Sequence, residues 1–349
     1  DDHEKFKNLT KDNSPLHTDI KFAKQKGYED IIGYSFLLTS LLSYCFGKVF
    51  PAGNDLCLKN DSSFLSFYYI PNKLEYSFDE IYMLAALVGV NRTLSHPEDT
   101  IKINTKLTMA TLEWIFKNPV KRLLFASSSE NYAGTSDLFD IEIPTSEEVP
   151  LCISDIKHPR WTYALTKIHG EAAFIHSAKS LGYECSIVRY QNIIGPDMGF
   201  GHAIPHIVER FVRLKETPFK IYGHEQTRAF CYVEDAVIGT IKAMESSLAA
   251  GEIYHIGNND EINMKTLTTH IGDLIGYTGM YEEAITYPGS VSRRCPNIDK
   301  AIAELGYSPK FHWKTAVNLT VNWYHDFFSS GKSPKFGGFE PPEKMLKKL

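Results

Sequence analysis

Short apolar runs alternate with helix-length segments along much of the chain. The runs Ile31–Leu38, Phe64–Ile70, Glu80–Ala86, Lys121–Ser128 and Ser186–Tyr190 predict buried strands. Residues 98–117 and 163–181 predict helices, and Gly182 ends the second of them. Because continuous apolar strands alternate with helices, the pattern predicts an α/β fold, namely a Rossmann-like doubly wound parallel sheet with helices on both faces.

This alternation ends after Gly195-Pro196, where Gly, Pro, His and aromatic residues become frequent. We therefore predict three regions: a polar arm at 1–30, a Rossmann-like nucleotide-binding domain at 31–195 and a smaller C-terminal substrate-binding lobe at 196–349. Some segments of the lobe are expected to return to the main sheet. Ligands of open α/β sheets bind at the carboxyl ends of the strands, so we expect the lobe to close over that edge.

Composition narrows the class of protein. The chain has 349 residues and a formal charge of −5, and such a mildly acidic chain lacks the broad basic face that nucleic acid requires. No apolar run approaches the roughly 20 residues that span a bilayer, so we expect neither nucleic acid nor a membrane as partner. The six cysteines and 13 histidines show no metal-ligand spacing. We therefore predict no metal site, reduced thiols and a cytoplasmic location.

The most informative segment is Tyr163-Ala-Leu-Thr-Lys167. Residues four apart share a helix face, so the Tyr163 phenol and the Lys167 ammonium are expected side by side. A neighbouring cation lowers the pKa of a phenol and makes it a usable base. Two further segments strengthen this interpretation, because Ser127–Tyr132 and Arg189–Pro196 follow predicted strands. Each candidate residue also has an interpretation without a catalytic role. Ser127–Ser129 could form an ordinary turn, Glu130 could be a surface carboxylate, and Arg228 could belong to a structural ion pair.

These motifs resemble those of the NAD-dependent epimerase/dehydratase family, which are extended short-chain dehydrogenases/reductases that remodel nucleotide sugars. The resemblance extends from about Asp79 to Tyr324. It is carried by Leu84-Ala85-Ala86, a structural Asn104, the Ser128, Tyr163 and Lys167 set, Asn192 with Gly195-Pro196, the segment Gln226–Asp235 and the segment Arg293–Ile298.

The resemblance implies three sets of site residues. The catalytic set is Ser128, Glu130, Tyr163, Lys167 and Arg228. The cofactor set is Gly33, Ser35, Phe36, Leu37, Asp55, Leu84, Ala85, Ala86, Tyr163, Lys167 and Tyr190, with NAD as the cofactor. The substrate set is Ser128, Asn192, Ile204, Arg228 and Arg293, with a UDP-sugar favoured as the nucleotide sugar. The resemblance also implies a homodimer through a four-helix interface built from helices around 100–117 and 163–181.

The family's chemistry implies transient oxidation at sugar C4. Tyr163 is expected to remove the proton of the 4-hydroxyl, Lys167 to hold the nicotinamide ribose and Ser128 to orient the 4-oxygen. Glu130 is expected near C5 and C6 together with Arg228, as an acid or as an orienting group. Asn192 and Arg293 are expected to hold the diphosphate.

Two motif details favour decarboxylation of a UDP-sugar acid. Ser128-Ser-Glu-Asn-Tyr132 resembles the segment of UDP-glucuronate decarboxylases, and Lys157–Tyr163 resembles the approach to the catalytic tyrosine in the bacterial enzymes of that group. Sugar 4,6-dehydratases carry an Asp where this chain has Ser129, which disfavours dehydration. Simple 4-epimerases tolerate many residues there, so 4-epimerisation stays open.

The dinucleotide-binding turn departs from the family pattern G-G-x-G-F-I-G. The segment Ile32–Leu38 aligns with this pattern and keeps only Gly33, although those glycines permit close approach to a pyrophosphate. This departure leaves three alternatives. The chain binds NAD in an altered way, it uses another cofactor or none, or it is a catalytically silent relative that binds a nucleotide sugar. We favour an enzyme, because a binding protein has no need of Ser128, Tyr163 and Lys167 together.

Overall fold

The computed structural model describes residues 78–286, 290–334, 338–339 and 341. The predicted arm at 1–30 lies outside these residues, and so do the predicted cofactor contacts Gly33, Ser35, Phe36, Leu37 and Asp55. In the part of the chain that is described, no helix combines the length and the apolar character needed to cross a membrane.

The described elements alternate between strands and helices in their first half. The strands are β1 (Glu80–Met83), β2 (Arg122–Ser128), β3 (Glu184–Tyr190), β4 (Ile193–Ile194), β5 (Phe219–Tyr222), β6 (Thr227–Ala229), β7 (Cys231–Tyr232), β8 (Ile253–Ile256), β9 (Glu261–Asn263), β10 (Tyr281–Ala284) and β11 (Arg293–Arg294). The helices are α1 (Val90–Ser95), α2 (Pro97–Lys117), α3 (Ala133–Leu138), α4 (Trp161–Leu181), α5 (Ala203–Val212), α6 (Val233–Glu245), α7 (Met264–Ile275), α8 (Asp299–Leu305) and α9 (Trp313–Ser329). The strands predicted at 121–128 and 186–190 and both predicted helices are confirmed, whereas the strand predicted at 80–86 ends at Met83. The strands predicted at 31–38 and 64–70 lie outside the described residues.

The main sheet is parallel and has the strand order β1-β2-β3-β8. Its two central strands, β2 and β3, each carry five consecutive buried residues, as expected for strands covered on both faces. The register aligns Ser128 with Tyr190 at the carboxyl ends of these strands. Residues far apart in the sequence therefore meet at one edge of the sheet, and the predicted α/β class is confirmed.

Helices α2 and α4 pack against each other, and α4 also contacts β2 and β3. The approach of α4 to the sheet requires glycine at one position, because a Cβ on Gly170 would lie 2.3 Å from Cζ of Phe125. The Phe125 ring in turn packs on Phe174 of α4 with 5.1 Å between the ring centroids. Helix α4 ends at Gly182, whose φ of 78° lies in the left-handed region.

Smaller sheets follow residue 190. β5 pairs with β10 and β4 with β7, both in parallel, while β6 lies between β11 and β9. Helices α5, α7 and α9 pack together beside these strands. Strand β8 joins the main sheet next to β3. The predicted domain boundaries at residues 30 and 195 stay predictions.

Candidate active site

Ser128 and Tyr163 lie together at the carboxyl end of β2. Ser128 is the last residue of that strand, and its hydroxyl accepts a hydrogen bond from the backbone N–H of Glu130 (3.2 Å). The Ser128 and Tyr163 side chains also hydrogen-bond to each other. Burial raises the pKa of Tyr163, and this outweighs the hydrogen bond from Ser128, which lowers it. The free protein therefore holds Tyr163 as a phenol at neutral pH.

Lys167 lies one turn along α4 from Tyr163 and is buried. Its Nζ donates a hydrogen bond to the backbone oxygen of Ala126 (2.6 Å) and lies 5.8 Å from the centre of the Tyr163 ring. Burial lowers the pKa of Lys167 to about 7, against the opposing effect of the Glu171 carboxylate. The expectation that Lys167 lowers the pKa of Tyr163 is therefore not met in the free protein, because burial of the phenol raises its pKa.

Glu171 of α4 connects the carboxyl ends of β2 and β3. This buried carboxylate accepts hydrogen bonds from the Ser127 hydroxyl (2.5 Å) and the Asn131 amide (2.7 Å). It also forms a bidentate pair with Arg189 at 2.8 Å for each bond. Glu171 therefore connects α4 with β2, β3 and the turn after Ser128. This network fixes the backbone that carries Ser128.

Glu130 lies between two guanidinium groups. Its Oε1 lies 2.5 Å from Nη1 of Arg294, and its Oε2 lies 3.4 Å from Nη2 of Arg160. Burial works to raise the pKa of Glu130, but the two arginines outweigh it and hold the pKa at about 2. Such a carboxylate is ionised at neutral pH. Of the two predicted roles, the geometry favours an orienting group over a proton donor.

Sequence reasoning missed Arg160 and Arg294 and selected Arg293 instead. Arg293 is exposed and forms a bidentate pair with Glu261, with distances of 3.0 Å and 2.7 Å. Neighbouring residues of a strand point to opposite faces, so only one of the two adjacent arginines of β11 can reach Glu130. The alternation of side chains along β11 could have indicated that only one of the two arginines belongs to the site. The pairing of β11 with β6 is needed to show which of them faces Glu130.

A cavity of about 200 Å³ lies beside this cluster. Asn192, Ile204 and Arg228 from the predicted substrate set line it. The Arg228 guanidinium donates to the backbone oxygen of Thr227 (2.7 Å) and to the Ser290 hydroxyl (3.1 Å). Burial and the charge of Arg294 lower the pKa of Arg228 to about 10. Ser128, Tyr163, Lys167 and Arg293 are not among the described residues that line the cavity.

The strand end after β1 offers a fit to a dinucleotide. Leu84, Ala85 and Ala86 follow β1 directly, and the two alanines are small and partly exposed, which leaves room for close approach of a ligand to the backbone. Asn104 accepts from the backbone N–H of Leu87 (2.6 Å) and donates to the Thr166 hydroxyl (3.1 Å).

This asparagine therefore connects the segment that follows β1 with Thr166 of α4. Tyr190, also predicted as a cofactor contact, hydrogen-bonds through its hydroxyl to Thr240 (2.6 Å). The small side chains of Ala85 and Ala86 fit the close approach of a dinucleotide to this edge of the sheet.

The prediction of no metal site rested on ligand spacing in the sequence. Within the described ranges, His96, Glu98 and Asp99 bring possible ligand atoms within 4.8 Å of one another at the start of α2. His96 and Glu98 are exposed and Asp99 partly so, and exposed acidic groups of this kind are common without an ion. The prediction stays a prediction.

The sequence model of the NAD dependent epimerase/dehydratase family matches residues 72–257, and the chain belongs to that family. This confirms the predicted class of enzyme and its NAD dependence.

Two curated relatives refine the comparison. The chain is 30% identical to a UDP-N-acetyl-alpha-D-glucosaminuronate decarboxylase of Bacillus cytotoxicus over 71% of this chain and 77% of that protein. It is 29% identical to a UDP-glucuronate 4-epimerase of Thermodesulfobacterium geofontis over 74% of this chain and 76% of that protein.

Solved structures show the same fold. The UDP-glucose 4-epimerase of Thermotoga maritima, solved with UDP-glucose, matches with a TM-score of 0.63 and 25% identity over 72% of this chain and 78% of its own. The UDP-glucuronic acid 4-epimerase of Bacillus cereus, solved with UDP-glucuronic acid and NAD, matches with a TM-score of 0.62 and 23% identity over 71% of this chain and 76% of its own. These matches confirm the predicted Rossmann-like fold.

Proposed function

We propose that the chain is an NAD-dependent enzyme that binds a UDP-sugar acid, oxidises the sugar transiently at C4 and decarboxylates it. The observation that carries this proposal is the cluster of Glu130 with Arg160, Arg294 and Arg228. Three guanidinium groups lie near the Glu130 carboxylate there. Arg228 also interacts with Glu261, but that carboxylate already forms a bidentate pair with Arg293. An excess of buried positive charge is costly without an anion to balance it. A sugar carboxylate or a diphosphate supplies that anion, and guanidinium groups bind both in bidentate geometry.

The chain's own residues support the oxidation step. When bound, NAD+ accepts the C4 hydride and later returns it, so the overall reaction is redox-neutral. The Tyr163 phenol first loses its proton to solvent, and the resulting phenolate then receives the proton of the sugar 4-hydroxyl. The Ser128 hydroxyl holds the 4-oxygen at hydrogen-bond distance from Tyr163. We expect Leu84, Ala85 and Lys167 to hold the nicotinamide half of the cofactor.

The 4-keto group prepares the loss of carbon dioxide. The C5–C6 bond breaks, its electron pair becomes an enolate conjugated with the 4-keto group, and carbon dioxide leaves. A proton from water then adds to C5, and the proton held by Tyr163 returns to the 4-oxygen when the hydride returns to C4. Glu130 stays ionised, so its negative charge repels a neighbouring substrate carboxylate. Loss of that carboxylate as carbon dioxide removes the repulsion. Arg294 and Arg160 hold Glu130 in place through this sequence.

A second candidate is 4-epimerisation of the same class of substrate. The relative from Thermodesulfobacterium geofontis is named for that reaction, and the same C4 oxidation precedes both outcomes. The two reactions differ in their products, because only decarboxylation releases carbon dioxide.

The test is incubation of the purified protein with UDP-glucuronic acid and NAD+, with carbon dioxide release and the nucleotide products measured by chromatography and mass spectrometry. Decarboxylation yields carbon dioxide and a UDP-pentose, whereas epimerisation yields a product of unchanged mass. Tyr163→Phe removes the proton acceptor and should abolish turnover while UDP binding persists. Wild-type protein that binds UDP but forms neither product would support the silent relative and refute the proposed reaction.

We also propose a homodimer. Helices α2 and α4 lie side by side and expose Ile101, Met109, Phe116 and Leu165, whose exposed fractions are 40%, 44%, 74% and 38%. Paired with the same face of a second copy, they would form a four-helix interface. The cytoplasm is the proposed location, because the described cysteines, Cys152, Cys185, Cys231 and Cys295, are free thiols and a reducing compartment keeps them so.

A further inference from the structure

Phe339 forms part of the wall of the ligand cavity, well beyond the residues 72–257 that match the family. The Phe339 ring centroid lies 5.8 Å from that of His206 and 6.2 Å from that of Tyr222, and both of these residues also line the cavity. The guanidinium carbon of Arg210 lies 4.7 Å from the centre of the Phe339 ring. We refer to Tyr222, His206, Phe339 and Arg210 as the aromatic corner.

Buried charges hold the aromatic corner in place. The backbone N–H of Phe339 donates to Oε2 of Glu209 (2.6 Å), and Glu209 is a buried residue of α5 whose other oxygen pairs with Arg213. Arg210 follows Glu209 and forms a bidentate pair with Glu216, at 2.7 Å for each bond. Hydrogen bonds to ionised groups are stronger than neutral ones. Phe339 is therefore attached to α5 through a charged acceptor.

The chemistry of the cavity changes along its lining. Arg228 interacts electrostatically with Glu130 and Arg294, so this part of the cavity lies next to the cluster of Glu130 and its arginines. The aromatic corner instead offers ring faces and a guanidinium plane. A nucleotide sugar carries its groups in the order sugar, diphosphate, base. Arg228 and the four residues of the aromatic corner line the same cavity. With the sugar at Tyr163 and the diphosphate at Arg228, we therefore expect the base at the aromatic corner.

We propose that Phe339 contacts the ligand directly and stacks on the base of the bound nucleotide, with Glu209 holding it in position. This inference rests on the proposed function, because it takes the ligand to be a nucleotide sugar. It assigns a ligand contact to a residue close to the end of the chain and outside the matched family region. Nucleobases stack on aromatic side chains whatever their sequence position, since the contact needs only two flat faces.

The test is calorimetric titration of the full-length protein with UDP, which requires no turnover. Phe339→Ala should weaken UDP binding about 10-fold, within the range found for removal of a base-stacking ring. Phe339→Tyr keeps the ring and should stay within about twofold of wild type. The matched control is Phe327→Ala, because Phe327 packs on Phe200 and Trp323 and is not among the described residues lining the cavity.

A second variant and a second ligand keep the test decisive. Glu209→Ala frees the Phe339 backbone and should also weaken UDP binding, so it decides the matter if Phe339→Ala fails to fold in a thermal melt. Unchanged UDP affinity in the folded variants would overturn the inference. So would an equal loss of affinity for pyrophosphate, which has no base, or wild-type protein that binds no UDP. Normal UDP binding without turnover would instead refute only the proposed reaction.

Discussion

The ion pair between Arg294 and Glu130 permits a quantitative prediction for Arg294→Met. This change keeps most of the side-chain volume and removes the guanidinium that lies 2.5 Å from the Glu130 carboxylate. Arg160 stays at 3.4 Å as the weaker partner. The Glu130 side chain is 29% exposed, so the carboxylate that loses its partner is largely cut off from water. We expect a clear loss of stability.

The pKa of Glu130 sets the size of the effect. Its pKa falls from an ordinary 4.5 to about 2, and at about 1.4 kcal/mol for each pKa unit this net shift corresponds to about 3 kcal/mol. The two arginines supply this amount in addition to what offsets the burial of the carboxylate. Arg294 is the closer partner and lowers the pKa of Glu130 more than Arg160 does, so we assign it about 2 kcal/mol. Because the folded protein depresses this pKa, the stabilisation is present above pH 4.5 and is lost as the pH falls towards 2.

A double-mutant cycle measures this energy. Urea unfolding at pH 7 of the wild type, Arg294→Met, Glu130→Gln and the double variant should give a coupling energy of about 2 kcal/mol. The matched control is the cycle of Arg293→Met with Glu261→Gln, since Arg293 adjoins Arg294 but its side chain is 50% exposed. That control should give about 0.5 kcal/mol. Equal coupling energies in the two cycles would refute the assignment of Arg294 as the buried partner of Glu130.

Three further predictions concern α4 and α2. Lys167→Met should raise the free energy of unfolding by about 2 kcal/mol at pH 7, because burial depresses the Lys167 pKa to about 7. Urea unfolding at several pH values should show that this gain shrinks as the pH rises to about 10. Gly170→Ala should cost about 2 kcal/mol in the same assay, since its Cβ meets the Phe125 ring; an unchanged midpoint would contradict the close approach. Phe116→Glu should convert the proposed dimer to a monomer in light scattering, whereas Phe139→Glu, at a residue that is 60% exposed, should leave it a dimer.

Local spacing explains which parts of the site were predictable. Tyr163 and Lys167 are four residues apart on a helix, and Ser128 ends an apolar run, so both features are visible in short stretches of sequence. The partners of Glu130 lie 30 and 164 residues away, and no short pattern reveals them. The contact between Phe339 and Glu209 spans 130 residues. Such contacts depend on how the smaller sheets and α5 pack, which the sequence pattern left unspecified.

The buried Glu171 carboxylate restricts how this chain can vary in evolution. It serves Ser127, Asn131 and Arg189 at once, so these four positions cannot drift independently. Loss of Arg189 alone would strand a buried negative charge at a cost of about 3–5 kcal/mol, whereas exchange of both charged residues for apolar ones of similar size can be nearly neutral. Homologous chains should therefore change Glu171 and Arg189 together, and a library that randomises one of them should recover few folded members unless the other is varied as well.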